Sequence, residues 1–207
     1  MKKSGFTLLE VVIVMALTCV ILGILYSIFQ AGNKVFSDAD VRATLQIEAR
    51  NVQEELTNLG IQAADVTGVK IGSSYSDSDN KAYVEQKYSD LSSKNINEIK
   101  ILGYGKDSDY AIDHDSGEYK ISNPLTYYVK FENDTLYMIT ETEAGTRSEK
   151  VIAKHIISFN VEPEDTNDSF ADASSIKFNL VLRSQKAFSK VPDYPIDVKV
   201  TFRNKSK

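Results

Sequence analysis

From Phe6 to Phe29 the chain is an almost unbroken apolar run, and past Gln30 it turns polar while a helical period persists. At 1.5 Å per helical residue the run spans roughly 36 Å, enough to cross a bilayer core of about 30 Å with some tilt. Leu45, Ala49, Val52, Leu56 and Leu59 then recur at three- and four-residue steps, with Glu48, Arg50, Glu54 and Glu55 between them. That spacing predicts one apolar stripe on an amphipathic helix. With no proline before Pro124, a single helix is expected from Phe6 to about Asn58, ended by Gly60. Beyond Ile61 the period changes to strand-like runs: Ile96–Leu102, Gly117–Ile121, Leu125–Glu132, Thr135–Thr140, Ser148–Lys154, Ile156–Val161, Ser175–Leu182 and Ile196–Phe202. Ile176, Phe178, Leu180 and Leu182 share one face, as do Ile196, Val198, Val200 and Phe202. Asn133-Asp134 reads as a hairpin turn, 72–80 as an exposed loop, and Tyr83–Leu91 as a short helix or loop. The pattern predicts an α+β chain: residues 6–29 membrane helix, 30–60 amphipathic helix, and 61–207 an exported domain whose antiparallel sheet covers the helix stripe.

Charge adds two facts. Lys2-Lys3 before the apolar run predicts a cytoplasmic N-terminus and an extracytoplasmic C-terminal part. Inside the run stands one carboxylate, Glu10, with no Lys, Arg or His from Phe6 to Phe29 to pair with it. A carboxylate in a spanning helix costs at least about 2.5–3.5 kcal/mol, so it needs a partner. That partner is another chain or a positive group made by processing. A cut between Gly5 and Phe6 would place a new amine one helical turn, about 6 Å, from Glu10.

The stretch Lys3-Ser4-Gly5-Phe6-Thr7-Leu8-Leu9-Glu10-Val11 resembles the cleavage and methylation site of type IV prepilins and type II secretion pseudopilins. The resemblance implies that residues 1–5 form a leader and that a prepilin peptidase/methyltransferase cuts between Gly5 and Phe6 and N-methylates Phe6. It also implies that Glu10 pairs with the amino terminus of a neighbouring subunit. Further on, Thr126-Tyr127-Tyr128-Val129 and Thr135-Leu136-Tyr137-Met138 are similar to the hairpin strands of minor pilins and larger pseudopilins. The implied fold is pilin-like, and the implied partners are other pilin or pseudopilin subunits, an inner-membrane assembly platform and the membrane. In that family an assembled subunit lies at the cell surface.

Composition narrows the chemistry. The formal charge is −5 over 207 residues, and loss of Lys2 and Lys3 takes the side-chain sum to −7. An acidic exported domain is no nucleic-acid binder, and the mildly basic tail of Lys199, Arg203, Lys205 and Lys207 reads as a solvated strand end. The one cysteine, Cys19, lies in the apolar run, so the exported part has no disulfide. Small residues at Ala16, Cys19 and Gly23 would suit a close helix–helix approach. His114 and His155 stand far apart with no cysteine nearby, which leaves no Cys–His pair and no ordinary zinc site. Asp113, Asp115 and Glu118, with Gly117, are weak candidates for a calcium loop but lack its regular acidic series. The tyrosines read as sheet and core residues, and His155 as a structural residue at a strand junction. No catalytic set or cofactor is expected. The chain reads as a filament subunit, a minor pilin or pseudopilin of a type IV pilus, competence or type II secretion machine. The alternative is a signal-anchored binding or adhesion protein that does not polymerise.

Overall fold

The computed structural model describes residues 7–72, 83–91, 95–105, 110–112, 119–121, 123–165, 167–186 and 191–202. Helix α1 (Leu8–Gln62) runs for 55 residues. The described strands are β1 (Ala63–Ile71), β2 (Ile96–Tyr104), β3 (Tyr110–Ile112), β4 (Tyr119–Ile121), β5 (Pro124–Glu132), β6 (Thr135–Thr142), β7 (Arg147–Ala153), β8 (Ile156–Pro163), β9 (Ser175–Leu182) and β10 (Tyr194–Thr201), with a short helix α2 (Tyr88–Leu91) between β1 and β2. The chain forms two compact units: Met1–Ala43 with Gln185–Val191, and Thr44–Ser184 with Pro192–Lys207.

In the first unit α1 is exposed along the whole Leu8–Phe29 stretch. Farther along, the Lys186 ammonium binds the Asp40 carboxylate, which ties the segment after β9 to the helix.

In the second unit Leu45, Ala49, Val52, Leu56 and Leu59 are buried, so the helix stripe faces inward as its spacing predicts. It packs against antiparallel sheets. One has the order β1-β2-β5-β6-β7 and another β10-β9-β8, while β3 and β4 pair separately. Ile99, Ile101, Val129 and Leu136 supply the inner face of the larger sheet, and Ile176, Phe178, Leu180, Val198 and Val200 that of the smaller. Rings join the two: Phe131 on β5 stacks on Phe159 of β8 at 5.7 Å, and Phe159 meets Phe178 of β9 at 6.2 Å. The helix-to-sheet seat is also fixed by polar groups, with Lys150 of β7 on Glu55 at 2.6 Å and the Tyr127 hydroxyl donating to the Gln62 side chain. The segment around α2 is held by the β8–β9 loop. There the Tyr88 amide donates to Asp168 O at 3.1 Å, Ala171 N donates to Val84 O, and Tyr88 meets Phe170 edge-on at 5.8 Å.

Three expectations are corrected. The helix passes Gly60 and ends at Gln62, because Gly60 lies inside it against β10. A Cβ there would stand 2.7 Å from Val200 Cγ1, so the glycine serves close packing rather than a helix stop. Strand β1 follows the helix with no turn residue between them and was not expected. Its register slips at Ala63/Asp65, Val66/Gly68 and Lys70/Ile71, which breaks the alternation that marks a strand in sequence. The single sheet expected is divided, since β8 leaves β7 through Lys154-His155 and starts a separate ladder with β9. The hairpin is as read: Asn133 and Asp134 both adopt positive φ, 49° and 57°, the backbone of a tight two-residue turn between β5 and β6.

Candidate functional site

The start of α1 is built by Thr7. Its carbonyl accepts from the amides of Glu10 and Val11 at 3.1 and 3.3 Å, and its hydroxyl accepts from Glu10 N–H at 3.3 Å. Thr7 is therefore the N-cap and Glu10 the third helical residue, the spacing of a capping box. That cap was legible in Thr7-Leu8-Leu9-Glu10 but was not read from the sequence. Its consequence is positional: Glu10 sits in the first turn, where the unpaired amides and the positive end of the helix dipole favour a carboxylate. Among the described residues no donor or cation binds the Glu10 side chain.

Past this turn the aliphatic hydroxyls of the apolar run are closed within the helix. Thr18 Oγ1 donates to Val14 O at 2.8 Å and Ser27 Oγ to Ile24 O at 2.7 Å. These internal bonds remove the cost of hydroxyls in hydrocarbon. At its end, Gln30 Nε2 donates to the Tyr26 hydroxyl at 2.6 Å. Glu10 is thus the one charged side chain in Leu8–Phe29, and no described residue binds it. Gly23 and Gly32 have nothing within 4 Å of where a Cβ would stand, so no contact within the described chain requires a glycine at either place. Cys19 is a free, exposed thiol in the same run.

The remaining candidates divide sharply. Gly5 and Phe6 lie outside the described residues, as do Asp113, Asp115, Glu118, His114 and the 73–80 stretch. His155 is at the β7–β8 junction with φ 60°, its ring nitrogen Nδ1 3.0 Å from Glu48 Oε1 and its carbonyl accepting from Arg183 N–H. It clasps the helix to the sheet. A cleft of about 410 Å³ at the ends of β1, β2 and β5 is lined by Lys70, Glu98, Lys130 and Glu132. Its charges cancel, and Lys130 already binds Glu132 at 2.7 Å. On the outer face of the larger sheet the Tyr128 hydroxyl donates to Glu141 Oε2 at 2.6 Å, and Arg147 binds the other Glu141 oxygen at 2.9 Å. Lys100 and Arg147 lie 5.5 and 5.7 Å from the Tyr128 ring centre. Burial first, and then the Glu141 hydrogen bond, push the Tyr128 phenol up to about 12, while the bonds from Arg147 and then Tyr128 hold Glu141 below its ordinary value. This is a closed surface network, with no nucleophile beside a base.

The fold and the helix together define a class: a long apolar N-terminal helix, long and apolar enough to cross a membrane, that continues into an α+β domain. The family model of the prokaryotic N-terminal methylation motif matches residues 1–26. The chain thus carries the prepilin-type signal of type IV pilins, which supports a type IV pilin-like structural protein processed by prepilin peptidase and assembled with other pilin subunits. No curated protein and no solved structure matches the chain.

Proposed function

We propose that this protein is a minor pilin or pseudopilin, a filament subunit of a type IV pilus, competence or type II secretion machine. The observation that carries the reading is one helix with three properties. It opens on the methylation motif, exposes an apolar surface from Leu8 to Phe29 with Glu10 its one charge, and continues as the core-facing helix of a sheet domain. Peptidase cleavage between Gly5 and Phe6, on the cytoplasmic side, gives the Phe6 amine, which is then N-methylated. Removal of Lys2 and Lys3 strips the charges that hold the N-terminus in the cytoplasm. The mature chain waits in the membrane with residues 61–207 outside the cytoplasm. It joins the filament when the Phe6 amine of one subunit meets Glu10 of its neighbour, a pairing that offsets the carboxylate's insertion cost.

Two experiments test this. Intact mass and N-terminal sequencing of the protein extracted from native membranes should find N-methylated Phe6 first. A Met1 start in cells with active prepilin peptidase would remove the filament reading. Glu10→Ala should insert normally yet incorporate poorly into filaments, and normal incorporation would refute the charge pairing.

A further inference from the structure

Two large apolar side chains stand beyond the apolar run, in the same compact unit. Phe36 is 76% exposed and Val35 66%. They lie seven residues, just under two turns, past Phe29 and Ile28 respectively, so each continues one side of the run. Between Glu10 and Asp38 the only charged side chain is Lys34, which is exposed and makes no ion pair among the described residues. Tyr26, also exposed, holds its hydroxyl on Gln30 at the polar end of the run. Carboxylates return only past Phe36, at Asp38 and Asp40, and Asp40 is tied to Lys186. Along the axis the order is therefore apolar run, tyrosine, lone cation, phenylalanine, carboxylates.

We propose that α1 stays in contact with lipid for two turns beyond the run, with Val35 and Phe36 set into the headgroup layer on the far side of the membrane from Phe6 and Lys34 on lipid phosphates. The inference rests on the membrane reading of the helix and goes beyond it by moving the boundary from Phe29 to Phe36 and naming what holds it there. The lengths agree. A run of roughly 36 Å fits a core of about 30 Å only when tilted, and the same tilt lifts Phe36 about 9 Å above Phe29. A headgroup layer is about 5–7 Å deep. Helical side chains lean toward the N-terminus, so the Phe36 ring falls inside that layer. Aromatic and aliphatic side chains at this depth leave water for the boundary of the acyl chains. An ammonium on a flexible stem reaches the phosphates from the same place. Phosphates repel carboxylates, and the first ones stand past Phe36. The exposed pair thus has an occupant of matching chemistry, continuous with the run itself.

Because the chain has no Trp, single substitutions report depth directly. The full-length chain carrying Phe29→Trp, Phe36→Trp or Ala43→Trp is reconstituted at low density in vesicles of phosphatidylcholine and phosphatidylglycerol. Bromine is placed at either the headgroup end or the far end of the acyl chains. Phe36→Trp should be quenched several-fold more by bromine at the headgroup end, and several-fold more than Ala43→Trp, an exposed position seven residues on. Ala43→Trp also checks that a tryptophan does not draw itself into the membrane. Adding Lys34→Glu should lower the Phe36→Trp quenching about twofold or more, and equal quenching overturns the phosphate contact. Phe36→Trp quenched no more than Ala43→Trp, while Phe29→Trp is quenched, overturns the inference and leaves the membrane reading standing. A blue-shifted but unquenched Phe36→Trp also overturns it and gives the position to a protein neighbour. Absence of quenching in Phe29→Trp removes the membrane reading itself.

Discussion

Gly103→Ala is the sharpest test of how the helix end is seated. Gly103 is buried in β2, paired with Ala63 of β1, and a Cβ there would stand 2.8 Å from Gln62 O and 2.8 Å from the Tyr127 ring. Neither neighbour can retreat cheaply. Gln62 is the last residue of α1 and runs straight into β1, so moving its carbonyl moves the Ala63–Gly103 pairing. The Tyr127 ring is pinned by the hydrogen bond from its hydroxyl to Gln62. Overpacking of this kind costs about 1–3 kcal/mol. Replacing a strand-interior glycine by alanine returns roughly 0.5–1 kcal/mol of backbone entropy. With both ranges at their middle the net loss should be about 1 kcal/mol, or about 2–4 °C in Tm for a unit of this size. Thermal and urea unfolding of the full chain in detergent, followed by circular dichroism and tyrosine fluorescence, would read it, since the chain has 11 Tyr and no Trp. Gly32→Ala, with nothing within 4 Å of its Cβ position, is the control and should not lower the transition, since a helix-interior alanine gains about 0.5–1 kcal/mol over glycine. An unchanged or raised Tm for Gly103→Ala would mean that the helix end is not wedged against β2.

Two further outcomes follow from the polar clasps. The Tyr128 phenol, raised to about 12 by burial and its bond to Glu141, favours its neutral form in the folded chain. Its contribution is therefore whole below the ordinary tyrosine value near 10 and is lost as pH rises from there through 12. Tyr128→Phe should remove that alkaline component from the pH dependence of unfolding, and an identical alkaline profile would refute the assignment. His155→Ala should cost about 1–3 kcal/mol in urea unfolding, because Glu48 Oε2 is already buried without a partner and Oε1 would lose its own. His155→Asn, which tolerates the positive φ, should recover part of that loss, and equal stability of all three chains would show that the clasp contributes nothing.

What the sequence disclosed and what it hid have a common physical basis. Leu45–Leu59, Ile176–Leu182 and Ile196–Phe202 were legible because each has one wet and one dry face, and period follows directly from that asymmetry. Strand β1 was hidden because its alanines, Gly68 and three register slips leave no alternation, and because its place beside β2 is set by the helix end that precedes it. The division into separate ladders was equally unreadable, since the chain turns there at one left-handed residue, His155, whose ring meets Glu48 107 positions away. The charged residues of the helix divide along the same line. Glu10 stands out because a carboxylate among apolar neighbours is anomalous on its own terms. Arg50 and Glu54 do not, because a charged pair on an amphipathic helix is the ordinary sign of a solvated face.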